Sequence, residues 1–344
     1  MRISKIVTLP FDAVAVATGA KSFRHNAVLG SPYLNARGLH TSRVKTADRL
    51  ATARRRRLEH MVPAAHRDRF AECGYVQVEN VLPDDIFLGL SQEVDTTPLP
   101  ARELKQGGTV TRFITLSPET LRSLPYLDRA IKDAAFQGLM RYVGSANADP
   151  LVTLHTVLTN PVAKRADPQS SFHSDTFHPT SKGWLFLRDV DVEDGPFSYV
   201  PGSHRMTAGR LEWEYEQSLS AQAHKNGHHA GGSFRATQDE IKAMGYPEPV
   251  GFPVKANTLV VADTHGFHAR QPSARKSTRV ALYGSLRASP FNPLAGPDIM
   301  DIPGLRGRKG QMLDLYRSAV ARVTGKPESQ PLVGDVLAAA PAVR

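Results

Sequence analysis

Two histidines in this chain stand one residue short of an aspartate, as His66-Arg67-Asp68 and His173-Ser174-Asp175. Imidazole nitrogen and carboxylate oxygen are ligands for a first-row divalent metal, provided both point at one place. Backbone periodicity separates the two copies. His66 and Asp68 fall in a stretch, AAHRDRFAECGY, that reads as a helix stopped by Gly74, and there residues two apart project about 200° from each other. His173 and Asp175 fall among short apolar runs with strand character, where residues i and i+2 share a face. The second pair is the candidate and needs a third ligand from another strand. NTLVVADTHGFHARQPSARKSTRVALYGSLR offers His268 inside a returning strand and His265 at the turn before it. Two histidines and one carboxylate with open positions form the facial triad of non-haem Fe(II) oxygenases. Eleven residues after His268 stands Arg279, heading the alternating run Val280–Tyr283. A guanidinium in a buried strand is costly without an anion, and its planar fork suits a carboxylate.

The elements that must position these residues follow from pattern. Helices are expected near 64–73, from Asp84 to about Val94, over Pro125–Val143 and near Gln311–Val323. Strands are expected at Tyr75–Val81, Gly107–Leu116, Leu151–Thr159, Ser171–Asp175, Gly183–Val190, Phe197–Val200, Thr258–Asp263, Gly266–Arg270 and Arg279–Ser285. A polar insert, about 206–246, interrupts the series with two helical pieces (Leu211–Ala223 and Gln238–Met244) around a Gly- and His-rich loop. Helices first and many short strands after define an α+β chain with a β-sandwich or jelly-roll core.

These residues, above all FHSDTFHPTSKGWLFLRDVDVEDGPFSYVPGSH (172–204) and the His268…Arg279 pair, resemble the phytanoyl-CoA dioxygenase family of Fe(II)/2-oxoglutarate-dependent oxygenases over roughly residues 64–290. The resemblance implies a double-stranded β-helix (a cupin-type jelly roll) with flanking helices and a helical insert. It implies Fe(II) held by His173, Asp175 and His268, with 2-oxoglutarate and O2 as cosubstrates and Arg279 gripping the far carboxylate of 2-oxoglutarate. Lys182 and Tyr283 are expected to help in that pocket. Relatives that halogenate replace the carboxylate ligand with a small residue, so Asp175 favours hydroxylation of an unactivated C–H bond in a small-molecule or lipid-like substrate. Family members often carry a small hydroxyl residue two positions after the distal histidine; here it is Arg270, which leaves the rest of the cosubstrate pocket open. The alternative is a metal-binding cupin-type enzyme or binder that does not use 2-oxoglutarate.

Composition bounds the remainder. A 41% hydrophobic and 22% charged chain is that of an ordinary globular protein. The lone Cys73 excludes an intrachain disulfide and any multi-cysteine metal site, and fits a reducing compartment, so the cytoplasm is expected. Residues 1–60 carry twelve Lys/Arg against three acids, which is +9 of the chain's formal +10. The expected organisation is a basic arm over 1–62, the oxygenase domain over 63–300 and a C-terminal helix and loose tail over 301–344. Residues 1–45 read as irregular and Thr46–Val62 as helical, with Leu50, Leu58 and Met61 on one face. Its arginines Arg54–Arg57 offer peripheral contact with anionic membrane, although a solvated helix packed on the domain fits the thin apolar stripe better, and nucleic acid is not expected. A signal-peptide-like run at Ile6–Ala20 is interrupted by Pro10 and Asp12. His155, His178, His204, His224, His228 and His229 are read as surface or structural residues, and Trp184–Leu187 as core.

Overall fold

The computed structural model describes residues 3–161, 167–296, 298, 300 and 302–343. The strands among the described residues are β1 (Tyr75–Val78), β2 (Leu99–Gln106), β3 (Thr109–Thr115), β4 (Leu151–Thr159), β5 (Ser181–Phe186), β6 (Phe197–Tyr199), β7 (Val250–Gly251), β8 (Thr258–Asp263), β9 (His268–Arg270), β10 (Ser277–Leu286) and β11 (Leu332–Val336). They form an eight-stranded antiparallel sheet, β1-β8-β5-β10-β4-β3-β2-β11, and a three-stranded one, β7-β6-β9. From β4 onward the chain passes repeatedly between the sheets: β5 in the large one, β6 and β7 in the small one, β8 back, β9 across, β10 back. That winding is the double-stranded β-helix.

Strand alternation divides the two faces of the large sheet. In β5 and β10, Leu185 pairs in register with Leu282, and both lie in the main core with Leu259 and Val261 of β8. This outer face is covered by the helix Ala134–Gly144, through Phe136, Leu139, Met140 and Val143. Gly183 and Gly284, also register partners, let that helix approach: a Cβ on either would come within 3 Å of Met140 or Phe136. The neighbouring positions Trp184, Phe186, Ala281 and Tyr283 face the interior between the sheets.

Several expectations change. Pro125–Val143 is not one helix but two, Pro125–Ile131 and Ala134–Gly144. The break sits at Asp133, whose carboxylate accepts from the Phe136 amide (2.9 Å) and caps the second helix. Residues 1–45, read as irregular, are largely helical from residue 3 on, with helices Ile3–Ala15 and Pro32–Ala36 and the long helix Leu39–Leu58; residues 1 and 2 lie outside the described residues. That long helix buries His40, Arg43, Val44, Ala47, Ala51, Arg54, Arg55 and Leu58 at helical spacing, so two arginines of the basic run turn inward. Arg54 donates to the Ser145 carbonyl (2.8 Å), and Arg55 pairs with the buried Asp263 (2.8 Å). The tail is not loose throughout: β11 adds an edge to the large sheet by pairing with β2. No helix among the described residues is long and apolar enough to cross a membrane.

Candidate active site

His173 and Asp175 do not lie on a continuous strand. His173 forms isolated antiparallel bridges with His268 and Arg235, and Asp175 follows in a bend. His173 and His268 exchange both main-chain hydrogen bonds (3.0 Å each), which sets their rings 4.4 Å apart between centroids. The Asp175 amide donates to the Thr264 carbonyl (2.9 Å), bringing the carboxylate to the same point from the turn after β8. The convergence that strand alternation was expected to give is achieved by these three tethers.

Each imidazole is fixed in one tautomer. His173 Nδ1 lies 2.8 Å from the Ser171 carbonyl and His268 Nδ1 3.0 Å from the Gly266 carbonyl. A carbonyl only accepts, so Nδ1 carries the proton and Nε2 keeps its lone pair. Both Nε2 atoms face Asp175 Oδ1, at 3.9 and 3.8 Å. The three ligand atoms lie within 4.8 Å of one another and form the sole such cluster among the described residues. Burial, then the neighbouring His268, keeps His173 neutral well below the usual histidine range, and burial takes His268 down to about 4. Burial pushes the Asp175 carboxyl up, but Lys182, His268 and His173 together outweigh it and hold it ionised. Two neutral imidazoles and one carboxylate are the donor set that a divalent iron ion requires.

A cavity of about 230 Å³ opens beside this cluster, walled by His173, His268, Lys182, Tyr283, Arg270 and Arg279 among others. Arg279 is 8% exposed. Its Nη1 donates to the Gly195 carbonyl, while Nε and Nη2 are buried without a partner. Burial, then Arg270, brings its guanidinium down to about 9. Two orphaned donors on one edge of a buried fork fit a carboxylate. Arg270 is engaged by Asp167 (2.5 Å), which answers what a cation does at that position. Lys182 reaches Asp175 Oδ2 (2.6 Å), and Tyr283 packs against Trp184 and His155 (ring centroids 5.8 and 5.0 Å).

The cavity also corrects smaller expectations. His155, read as surface or structural, lies outside the metal cluster and lines the cavity, stacked on Phe113 (5.1 Å). Trp184 and Phe186, which alternate with the core residue Leu185, belong to a second apolar cluster between the sheets and also line the cavity. His265 is fully buried outside the metal cluster, so of the two histidines only His268 joins His173 and Asp175. Asp263, on the strand before His268, is paired with Arg55 and not with Arg270. The sequence reading also passed over Gly266, whose added Cβ would stand 1.9 Å from Tyr199 Oη. Its signal was its place two residues before His268, where its carbonyl anchors the imidazole.

The family model for Phytanoyl-CoA dioxygenase matches residues 70–271, well over half of the chain. The chain belongs to the phytanoyl-CoA dioxygenase family. It is thus a non-haem iron enzyme dependent on 2-oxoglutarate, with Fe(II), 2-oxoglutarate and O2 as cofactors, and its His–Asp–His cluster fits the metal. No curated protein sequence matches it. Similar solved structures include the non-haem alpha ketoglutarate dependent epimerase SnoN from nogalamycin biosynthesis (20% identity, TM-score 0.43, covering 65% of this chain and 82% of that one). HygX from Streptomyces hygroscopicus, solved with nickel and 2-oxoglutarate, is 14% identical (TM-score 0.43, 65% and 86% covered). The carbocyclase SnoK from nogalamycin biosynthesis is 20% identical (TM-score 0.40, 79% and 96% covered).

Proposed function

We propose that this protein hydroxylates an unactivated C–H bond of a small-molecule or lipid-like substrate, converting 2-oxoglutarate to succinate and CO2. The observation that carries the reading is Arg279: a buried guanidinium with two unpartnered donors in the cavity that the two histidines wall. In this reading His173, Asp175 and His268 hold the iron, and Arg279 holds the distal carboxylate of 2-oxoglutarate. Bound iron with 2-oxoglutarate supplies the activation of O2 for hydrogen abstraction. The chain's own residues do the rest. The two Nδ1–H···O=C bonds fix the imidazole tautomers, and Lys182 keeps the Asp175 carboxylate ionised while occupying its second oxygen. Trp184, Phe186, Phe197 and Tyr283 keep the cavity wall apolar and limit water. Retention of a carboxylate at Asp175 supports hydroxylation over halogen transfer.

Succinate formation from 2-oxoglutarate under air tests the reading. The wild type should release succinate in proportion to Fe(II) loading and Asp175→Ala should release none. Equal succinate from both proteins would sink the assignment of the triad.

A further inference from the structure

Arg279 and Arg287 stand toward opposite ends of one strand face. The odd positions of β10, Arg279, Ala281 and Tyr283, wall the cosubstrate cavity, and the same parity runs through Ser285 to Arg287 just beyond the strand. Eight residues at about 3.3 Å each separate the two backbones by about 26 Å. Lys182, which pairs in register with Ser285, reaches Asp175 between them. Arg279 has its anion in 2-oxoglutarate. At the other end cations gather around the single carboxylate Asp175.

Three cations gather on that side of Asp175, none of them lining the cavity with Arg279. Lys21 donates from Nζ to the main-chain carbonyl of Asp175. Arg287, Lys182 and Arg235 stand close enough for their charges to repel the Lys21 ammonium, and the Asp175 carboxylate opposes them. Arg235, the bridge partner of His173, donates from Nη1 to Ser233 (Oγ 2.7 Å), and its Nε is buried without a partner. Arg287 is exposed and makes no hydrogen bond or ion pair among the described residues. Asp175, the carboxylate that reaches Lys21 and Arg235, is already paired with Lys182 and committed to the metal cluster. A group of like charges, partly desolvated beside a metal centre, is held at a cost that a bound anion relieves.

The placement of Lys21 is built into the fold. The segment before it is fastened by Arg43, which donates to the carbonyls of Val16 (2.9 Å), Thr18 (2.9 Å) and Ala20 (2.8 Å). The segment after it is fastened by Phe23, whose amide donates to Ala230 (3.1 Å) and whose ring enters the core of the helical insert with Trp213 and Phe234. Gly232 leaves room for the strap, since a Cβ there would lie 2.0 Å from the Lys21 carbonyl oxygen. Lys21 lies outside the residues that match the family.

We propose that Lys21, Arg235 and Arg287 form a substrate subsite, and that the substrate carries a carboxylate or phosphate group which docks there. This rests on the oxygenase reading for the meaning of "substrate", although the subsite itself can be tested separately. Methyl phosphate, acetate and the neutral acetamide are titrated calorimetrically, at constant ionic strength and without oxygen, into protein loaded with Fe(II) and saturating 2-oxoglutarate, so that Arg279 is already occupied. At least one anion should bind saturably and acetamide should not; which anion binds tells phosphate from carboxylate. Lys21→Met and Arg287→Glu should each weaken that binding at least ten-fold, with the 2-oxoglutarate affinity and melting temperature close to wild type as the check on folding. Absence of anion binding, equal binding of acetamide, or unchanged affinity in both variants would overturn the subsite. If 2-oxoglutarate fails to bind while an anion still does, the oxygenase reading falls and the subsite stands.

Discussion

Replacing Arg279 by methionine should separate function from stability. The side chain is buried, donates once to Gly195 and leaves Nε and Nη2 unsatisfied. Two charge-assisted hydrogen bonds to a carboxylate are worth about 1.5–3 kcal/mol each, so their loss should cost about 3–6 kcal/mol of 2-oxoglutarate binding. At 1.4 kcal/mol per tenfold, that is a fall in affinity of roughly 10²–10⁴-fold. The unliganded fold should not pay this cost. Removing a buried, under-satisfied charge in favour of an apolar chain of similar length is often neutral or stabilising by about 1–4 kcal/mol. Anaerobic calorimetry with Fe(II) and 2-oxoglutarate measures the first quantity, and urea unfolding of the unliganded protein the second. Arg279→Lys should rescue only part of the affinity, because an ammonium cannot present two parallel donors. If Arg279→Met binds 2-oxoglutarate within three-fold of wild type, or if its loss of affinity is matched by unfolding, the role given to the guanidinium is wrong.

Further outcomes follow from other buried contacts. Gly266→Ala would drive a Cβ into Tyr199, whose hydroxyl donates to the Asp263 carbonyl, and would shift the carbonyl that anchors His268. It should destabilise by about 1–3 kcal/mol and weaken metal binding roughly 10- to 100-fold, read by unfolding and by metal titration. Arg55→Met strands the buried Asp263 and should cost about 3–5 kcal/mol; adding Asp263→Asn should recover part of it in a double-mutant cycle. Glu214 is buried between Arg210 (2.9 Å) and His40 (2.8 Å). Burial pushes its carboxyl up, but Arg210 and His40 more than reverse this and lower it from 4.5 to about 2. Its contribution is therefore present above pH 4.5 and lost as pH falls toward 2. Glu214→Gln should flatten the stability-versus-pH curve in that window, and an unchanged slope would contradict the pairing.

How much of this was legible in the sequence depended on what filled the inward positions. β4 and β8 match the expected Leu151–Thr159 and Thr258–Asp263 because both are apolar runs bounded by turn residues. β2 was missed because one of its inward residues is Glu103, fully buried against Arg112 of β3 (2.6 Å), so the alternation does not read as apolar and polar. The helix Leu39–Leu58 was caught only over its second half for the same reason: His40, Arg43, Arg54 and Arg55 occupy buried positions that apolar residues usually mark. Residue type and spacing pointed to the three residues that cluster, His173, Asp175 and His268, yet the strand invoked for His173 and Asp175 is replaced by a bridge and a bend. Long-range partners such as the Thr264 carbonyl, the Asp167 that holds Arg270, and Lys21 beside Asp175 left no local trace. They depend on side-chain pairing across the fold, which periodicity does not encode.

The most direct test of the central claim is spectroscopic. Without oxygen, Fe(II) and 2-oxoglutarate are added to the purified protein and the visible charge-transfer absorption of an iron-bound 2-keto acid is sought. The account predicts a band that needs both components, saturates at one equivalent of iron, disappears in His173→Ala and needs far more 2-oxoglutarate in Arg279→Met. Well-folded protein that binds iron but shows no such band at saturating 2-oxoglutarate would contradict it.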